Sequence, residues 1–134
     1  MSRLLLDTHI LLWSQLQPAR LSPGVAAALD DNRNEVWISP LTIWEIFTLL
    51  EKCRVQLQVG LASWVASLAG RRRLREAFLT TAIVLAATEM RFQHRDPVDR
   101  FLAATAKVEG LTLVTADVQL LRRADIALMA NGLN

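Results

Sequence analysis

The chain predicts an α/β fold, a three-layer arrangement with a central, mainly parallel sheet of four to five strands flanked by helices. Three observations carry this reading. Short apolar runs, Leu4-Leu5-Leu6, Val36-Trp37-Ile38 and Leu111 to Thr115, alternate with longer segments bearing helix signals. Those runs are continuous rather than alternating, as strands covered on both faces require. Ser22-Pro23, Ser39-Pro40 and Asp96-Pro97 each place a capping residue before a proline at a first helical position.

Taken in order, Leu4 to Leu6 is a strand that stops at Asp7, and Ile10 to Leu16 is a helix. Pro23 to Asp31 is a second helix behind Ser22. Val36 to Ile38 is a short strand, and Ser39-Pro40 opens a helix that runs to about Lys52. Leu61 to Ala69 is helical. Phe78 to Thr80 is placed as a strand ahead of a helix over Ala82 to Met90. Asp96-Pro97 starts a helix that ends near Gly110. Leu111 to Thr115 is a strand, Val118 to Ala124 a short helix, and Ile126 to Met129 a last strand. No repeat, low-complexity tract or linker divides these elements, so the expectation is one domain over 1–134.

Composition narrows the function classes. With 52% apolar residues and a mean hydropathy of +0.27, disorder is excluded. The charge-free apolar stretch Ala77 to Thr88 falls short of the ~20 residues a spanning helix needs, so no membrane role is expected. Asp7 interrupts the leucines too early for a secretory leader. A single cysteine, Cys53, removes disulfide frameworks and cysteine-cluster zinc sites, and fits a reducing, cytoplasmic compartment. Net charge is +2 and the pI about 9.3. Thirteen of the fifteen basic residues are arginines, which suit bidentate phosphate contacts, although genome composition explains them equally well. The positive hydropathy points to a covered apolar surface, a dimer interface or a partner groove.

The acids carry the chemistry. Asp7 and Asp117 each follow a strand, and a parallel sheet delivers both to one edge, where such sheets bind ligands. Each can equally cap the helix that follows. Asp96 is a natural N-cap, and Asp99, three residues on, favours the helix dipole. Arg100 has two open roles, pairing with an acid or touching phosphate. Glu45 has no capping role to play. It sits over a turn into a helix whose neighbours at i±3 and i±4 are Leu41, Thr42, Thr48 and Leu49. That helix is apolar nearly all round, which predicts burial. A carboxylate there costs several kcal/mol unless it is paired, protonated or on a metal. Asp7, Glu45, Asp99 and Asp117 together suit a hard divalent cation, Mg2+ before Mn2+, able to activate water for displacement at phosphorus. No glycine-rich phosphate loop is present, and His9 and His94 stand far apart in sequence as ordinary polar residues.

At these residues the chain resembles the PIN-domain ribonucleases, and within them the VapC toxins of toxin–antitoxin pairs. Leu4-Leu5-Leu6-Asp7-Thr8-His9 is similar to the family's opening strand and first acid, and Ser39-Pro40-Leu41-Thr42-Ile43-Trp44-Glu45-Ile46 to its second. His94-Arg95-Asp96-Pro97-Val98-Asp99-Arg100 resembles the HxDPxDR signature, and Val114-Thr115-Ala116-Asp117 the last acid with its hydroxyl neighbour. The resemblance spans essentially the whole chain. It implies a PIN-like fold, a metal-dependent endoribonuclease acting on RNA, a homodimer, and neutralisation by a small antitoxin of VapB type. It makes Asp7 and Asp99 the firmest magnesium ligands, with Glu45 and Asp117 completing the set. Thr115 would orient an acid or the water, with Thr8, Asp96 and Arg100 in support. Two departures stand out: relatives commonly carry glycine at the position of Cys53 and phenylalanine at that of Val98.

Two other classes compete. A phosphoacceptor signalling module with a flavodoxin-like sheet also gathers acids at strand ends, but it wants adjacent acids after the first strand and a late lysine. Here Thr8-His9 follows Asp7, and Lys107 is mid-helix. A catalytically silent binding module has no need of a buried Glu45. The run Gly70-Arg71-Arg72-Arg73-Leu74-Arg75 has three open roles: steering RNA, facing solvent or meeting the antitoxin. Trp13, Trp37, Trp44 and Trp64 are core or interface candidates, with stacking on a base an open role for one of them.

Overall fold

Three leucines decide the layering. In β1 (Arg3–Leu6), Leu5 points into one buried cluster while Leu4 and Leu6 point into the other. Successive strand side chains alternate between faces. A continuous apolar run therefore means that both faces are covered, and each leucine's burial contributes ~1.5–3 kcal/mol. The computed structural model describes residues 1–71, 74–92 and 96–132, with backbone alone at 70 and 71.

The strands are β1, β2 (Glu35–Ile38), β3 (Leu74–Glu76), β4 (Thr112–Thr115) and β5 (Ala127–Ala130). Their order is β3-β2-β1-β4-β5, and every neighbouring pair is parallel. One face is covered by α1 (Thr8–Leu16), α2 (Pro23–Asp30), α3 (Pro40–Glu51) and α4 (Leu61–Arg71). They contribute Ile10, Val25, Ile46, Trp64 and Leu68 to the cluster that holds Leu4, Leu6 and Val114. The other face is covered by α5 (Thr81–Glu89), α6 (Pro97–Glu109) and α7 (Val118–Leu121), through Ile83, Leu102, Ala103 and Leu120 packed on Leu5 and Leu113. The predicted α/β class and helix-flanked parallel sheet are what the structure has.

Ser39 and Asp96 cap as their residue types require, whereas Ser22 stands at the start of α2 without a side-chain capping hydrogen bond. Ser39 accepts from the Leu41 N–H at 3.1 Å, and Asp96 accepts from the Val98 N–H at 3.0 Å. Gly110 ends α6 in the left-handed region, at φ 65°. Cys53 takes that region too, at φ 57°, so the turn after α3 keeps a glycine-like backbone although it carries a β-carbon.

Two expectations fail. Phe78 to Thr80 is not a strand: Phe78 and Leu79 are exposed, and Thr80 caps α5 by accepting from the Ile83 N–H at 3.2 Å. The strand is β3, four residues earlier. It lacks an apolar signature because it is an edge strand, where Arg75 reaches Glu35 at 3.6 Å and Glu76 faces solvent. The helix α3 is not buried all round: Thr42 and Ile46 face inward, while Trp44 is 59% exposed and Phe47 37% exposed. A pattern that apolar hides which faces the fold leaves open. A 3₁₀ turn at Pro18–Arg20 had no sequence signal beyond its proline.

Of the tryptophans, Trp64 is buried, Trp13 and Trp37 are half-buried, and Trp44 is exposed. In the arginine run, Arg72 and Arg73 lie outside the described residues, and Arg75 is engaged with Glu35 and with the Trp37 ring at 5.8 Å. Among the described residues, no helix is long and apolar enough to cross a membrane.

Candidate active site

The carboxyl ends of β1 and β4 lie side by side, in the register Leu6 with Val114. Asp7 follows the end of β1 directly, and Asp117 follows that of β4 after Ala116. The connections leave β1 towards β2 on one side and β4 lies on the other, so this is the crevice where parallel sheets bind ligands. The chain returning to β4 places the start of α6, with Asp96 and Asp99, at the same edge, and α3 brings Glu45 from the end of β2. One pocket of about 460 Å3 is lined by Asp7, Glu45, Asp96, Asp99 and Asp117, with His9, Trp13, Arg20 and Ala116.

Each acid is held differently. Asp7 is buried, accepts from the Thr8 N–H at 2.7 Å as the cap of α1, and accepts from the Thr115 hydroxyl at 2.6 Å. The Thr115 oxygen in turn accepts from the Asp117 N–H at 3.0 Å, so one buried hydroxyl ties the first acid to the backbone of the last. The Asp117 carboxylate accepts from the N–H groups of Gln119 and Leu120, at 2.8 and 3.1 Å, and caps α7. Capping and facing the pocket are therefore compatible roles. Glu45 is half-buried in the wall of the pocket. The Thr8 hydroxyl favours its charged form.

The electrostatics are those of like charges crowded together. Burial pushes the Asp99 carboxyl up to about 8, and the carboxylates of Asp7, Asp96, Asp117 and Glu45 push it the same way. Burial also raises Asp7, against the pull of its hydrogen bonds from Thr115 and Thr8. Glu45 is raised first by burial and then by the Asp96 and Asp7 charges. Such an array is unstable when fully ionised and gains from a cation. Its hard oxygen donors fit magnesium or manganese in chemistry and charge. Among the described residues, however, no group of three His, Cys, Asp or Glu side chains is placed to hold a metal ion.

The structure thus brings Asp7, Glu45, Asp99 and Asp117 to one pocket, with Asp96 on its rim and Thr8 and Thr115 behind. Arg100 does not line it; its guanidinium lies over the Phe92 ring at 5.0 Å. His94 and Arg95, the first part of the HxDPxDR match, lie outside the described residues. Arg20 and Trp13 line the pocket although nothing in the sequence marked them for it. Arg20 arrives on the 3₁₀ turn, whose guanidinium packs over the Trp13 ring at 4.5 Å. His9 lines it too, and the sequence signal for it was its position two residues after Asp7.

Comparison with known proteins bears on the family and the fold. Residues 4–126 match the PIN domain family. The chain is 31% identical over 121 residues to Ribonuclease VapC22 of Mycobacterium tuberculosis, a match covering 90% of this chain and 91% of that one. Its fold is shared with VapBC2 from Rickettsia felis, solved bound to a DNA fragment from its promoter, at a TM-score of 0.66, 16% identity, and coverage of 96% of this chain and 98% of that chain. DNA-bound VapBC from Salmonella typhimurium gives a TM-score of 0.66 at 18% identity, over 97% of this chain and 98% of that chain. The chain belongs to the PIN domain family and, within it, to the VapC group.

Proposed function

We propose that this chain is a metal-dependent endoribonuclease, the toxin of a toxin–antitoxin pair, with Asp7, Glu45, Asp99 and Asp117 holding Mg2+, or Mn2+ in its place. The observation that carries this reading is the convergence of these carboxyls on one pocket where Asp99 is pushed up to about 8. Membership of a ribonuclease group sets the substrate as RNA. A divalent cation there supplies the positive charge that activates a water and neutralises charge developing on the phosphate.

The chain's own residues do the rest. Thr115 fixes the Asp7 carboxylate, so that one oxygen keeps a constant bearing. Asp99 must surrender its proton to become a ligand, which makes metal affinity rise with pH through the neutral range. Glu45 and Asp117 complete the oxygens from the two flanking elements. Water attacks phosphorus, the P–O3′ bond breaks, and the 3′-oxygen takes a proton. The products carry a 5′-phosphate and a 3′-hydroxyl, and the RNA's 2′-hydroxyl is not the nucleophile.

The test is cleavage of total RNA with mapped and chemically typed ends. Asp7→Asn, Glu45→Gln and Asp99→Asn should each abolish cleavage while the protein stays folded. Cyclic 2′,3′-phosphate ends, or full activity in these variants, would overturn the mechanism.

A single domain over 1–134, a homodimer in the cytoplasm and a VapB-type antitoxin complete the proposal. The 4–126 family match supports the single domain. The exposed Trp44, Phe47, Val84 and Leu85 supply apolar surface that a second copy or an antitoxin would cover. Relatives of the same fold are solved as VapBC assemblies.

A further inference from the structure

The acid pocket does not end at its own rim. His9, Trp13 and Arg20 also line a second, larger groove of about 920 Å3, running between the second half of α1, residues 54–59 and the middle of α4. At the junction the guanidinium of Arg20 sits over the Trp13 ring at 4.5 Å, and the His9 ring meets Trp13 at 5.9 Å, tilted by 51°. Arg20 and His9 are exposed, and Trp13 is half-buried. Among the described residues Arg20 has no carboxylate within ion-pair distance, and its one side-chain hydrogen bond is to Gln17 at 3.4 Å. Beyond the junction the groove presents side-chain amides, from Gln15, Gln17, Gln56 and Gln58, and a second guanidinium, Arg54.

This combination has a chemical reading. Aromatic rings take the faces of unstacked bases, guanidinium groups take backbone phosphates, and side-chain amides donate to and accept from base edges. Among leucines and valines the lining carries positive charge and amides and, among the described residues, no carboxylate, beside a pocket dominated by carboxylates. A strand whose phosphodiester lies at the acids has to leave the pocket by some wall, and this wall complements its charge. Resting on the ribonuclease reading, we propose that the groove holds the unpaired nucleotides adjoining the cleaved phosphodiester. Arg20 takes a backbone phosphate, Trp13 and His9 receive a base, and the glutamines set which base is preferred.

The experiment uses the full chain with Mg2+ or Mn2+ and a fluorescein-labelled, unstructured RNA oligonucleotide, read by cleavage kinetics and by anisotropy. Arg20→Gln should raise KM and flatten its salt dependence, with Arg20→Lys restoring the salt dependence and part of the affinity. Trp13→Leu should weaken RNA binding roughly tenfold, within the range known for base–aromatic stacking. Because Trp13 also packs on the core, its melting temperature is read alongside, and Gln56→Ala and Gln58→Ala on the loop provide an independent arm: they should shift nucleotide preference at mapped cut sites. If the wild type cleaves and Arg20→Gln, Gln56→Ala and Gln58→Ala match it in KM and cut pattern, the groove proposal falls and the ribonuclease reading stands. If those variants cleave normally and lose only inhibition by an antitoxin protein, the groove docks a protein segment and the proposal falls. A wild type that binds the oligonucleotide through these residues without cutting it keeps the groove and removes the ribonuclease reading. A wild type that neither binds nor cuts removes both.

Discussion

Replacing Asp99 with asparagine should change how stability responds to pH more than it changes stability at any one acidic pH. Asp99 is 7% exposed in the first turn of α6, and its carboxyl is raised from 3.8 to about 8 by burial and the surrounding carboxylates. Between those two values the folded protein keeps a proton that the unfolded chain has released. This contribution to the stability of the metal-free fold is therefore fully present below pH ~4 and is lost as pH rises towards 8. At ~1.4 kcal/mol per unit, a fully insulated group would span ~6 kcal/mol. The pocket is open to solvent, so screening leaves roughly 2 kcal/mol as the expected loss. Asparagine has nearly the same shape and no titration. In EDTA, urea unfolding between pH 5 and 8 should show the wild type falling by that amount more than Asp99→Asn, with the variant the more stable protein at pH 8. Asp7 and Glu45 are raised in the same direction, so a shallower slope persists in the variant. Parallel pH profiles for the two proteins would show that Asp99 is not held protonated by its neighbours, and would refute the reasoning.

Other outcomes follow from the same geometry. Mg2+ or Mn2+ should raise the melting temperature at pH 7.5, by about 2.7 kcal/mol of stability at a hundredfold excess over the dissociation constant; indifference to both ions would count against the site. Thr115→Val keeps the shape but strips Asp7 of a 2.6 Å hydrogen bond and the Asp117 N–H of its acceptor, so stability should fall by ~1–3 kcal/mol and metal affinity with it. Unchanged calorimetric titration would show the hydroxyl to be dispensable. Cys53→Gly removes a β-carbon from a backbone held at φ 57° and should stabilise the fold by roughly 0.5–1 kcal/mol after glycine's extra chain entropy; a lower urea midpoint would show that the turn carries no such strain.

Legibility in the sequence followed the physics of each element. β1 was readable because a strand buried on both faces must be apolar at every position, and Leu4-Leu5-Leu6 is. The starts of α2, α3 and α6 were readable because a cap followed by proline is a local device. β3 was not, because an edge strand needs no apolar pattern, and the more apolar Phe78 to Thr80 drew the assignment instead. Trp44 and Phe47 were expected inside because hydrophobicity says what a residue tolerates, not which side of a helix another element covers.

By itself the sequence determined the acids and their local settings: Asp7 and Asp117 after strands, Asp96 and Asp99 in a helix start, Glu45 with no local partner. Residue type, capping chemistry and the cost of burying charge act over a few positions and can be read there. Only the tertiary structure decided that these acids share a pocket, that Thr115 bridges Asp7 to the Asp117 backbone, and that Asp99 is pushed to about 8. It also decided that Arg20 and Trp13 stand at the mouth. Coulomb repulsion and desolvation depend on distances between groups more than a hundred residues apart, and the strand order β3-β2-β1-β4-β5 sets those distances.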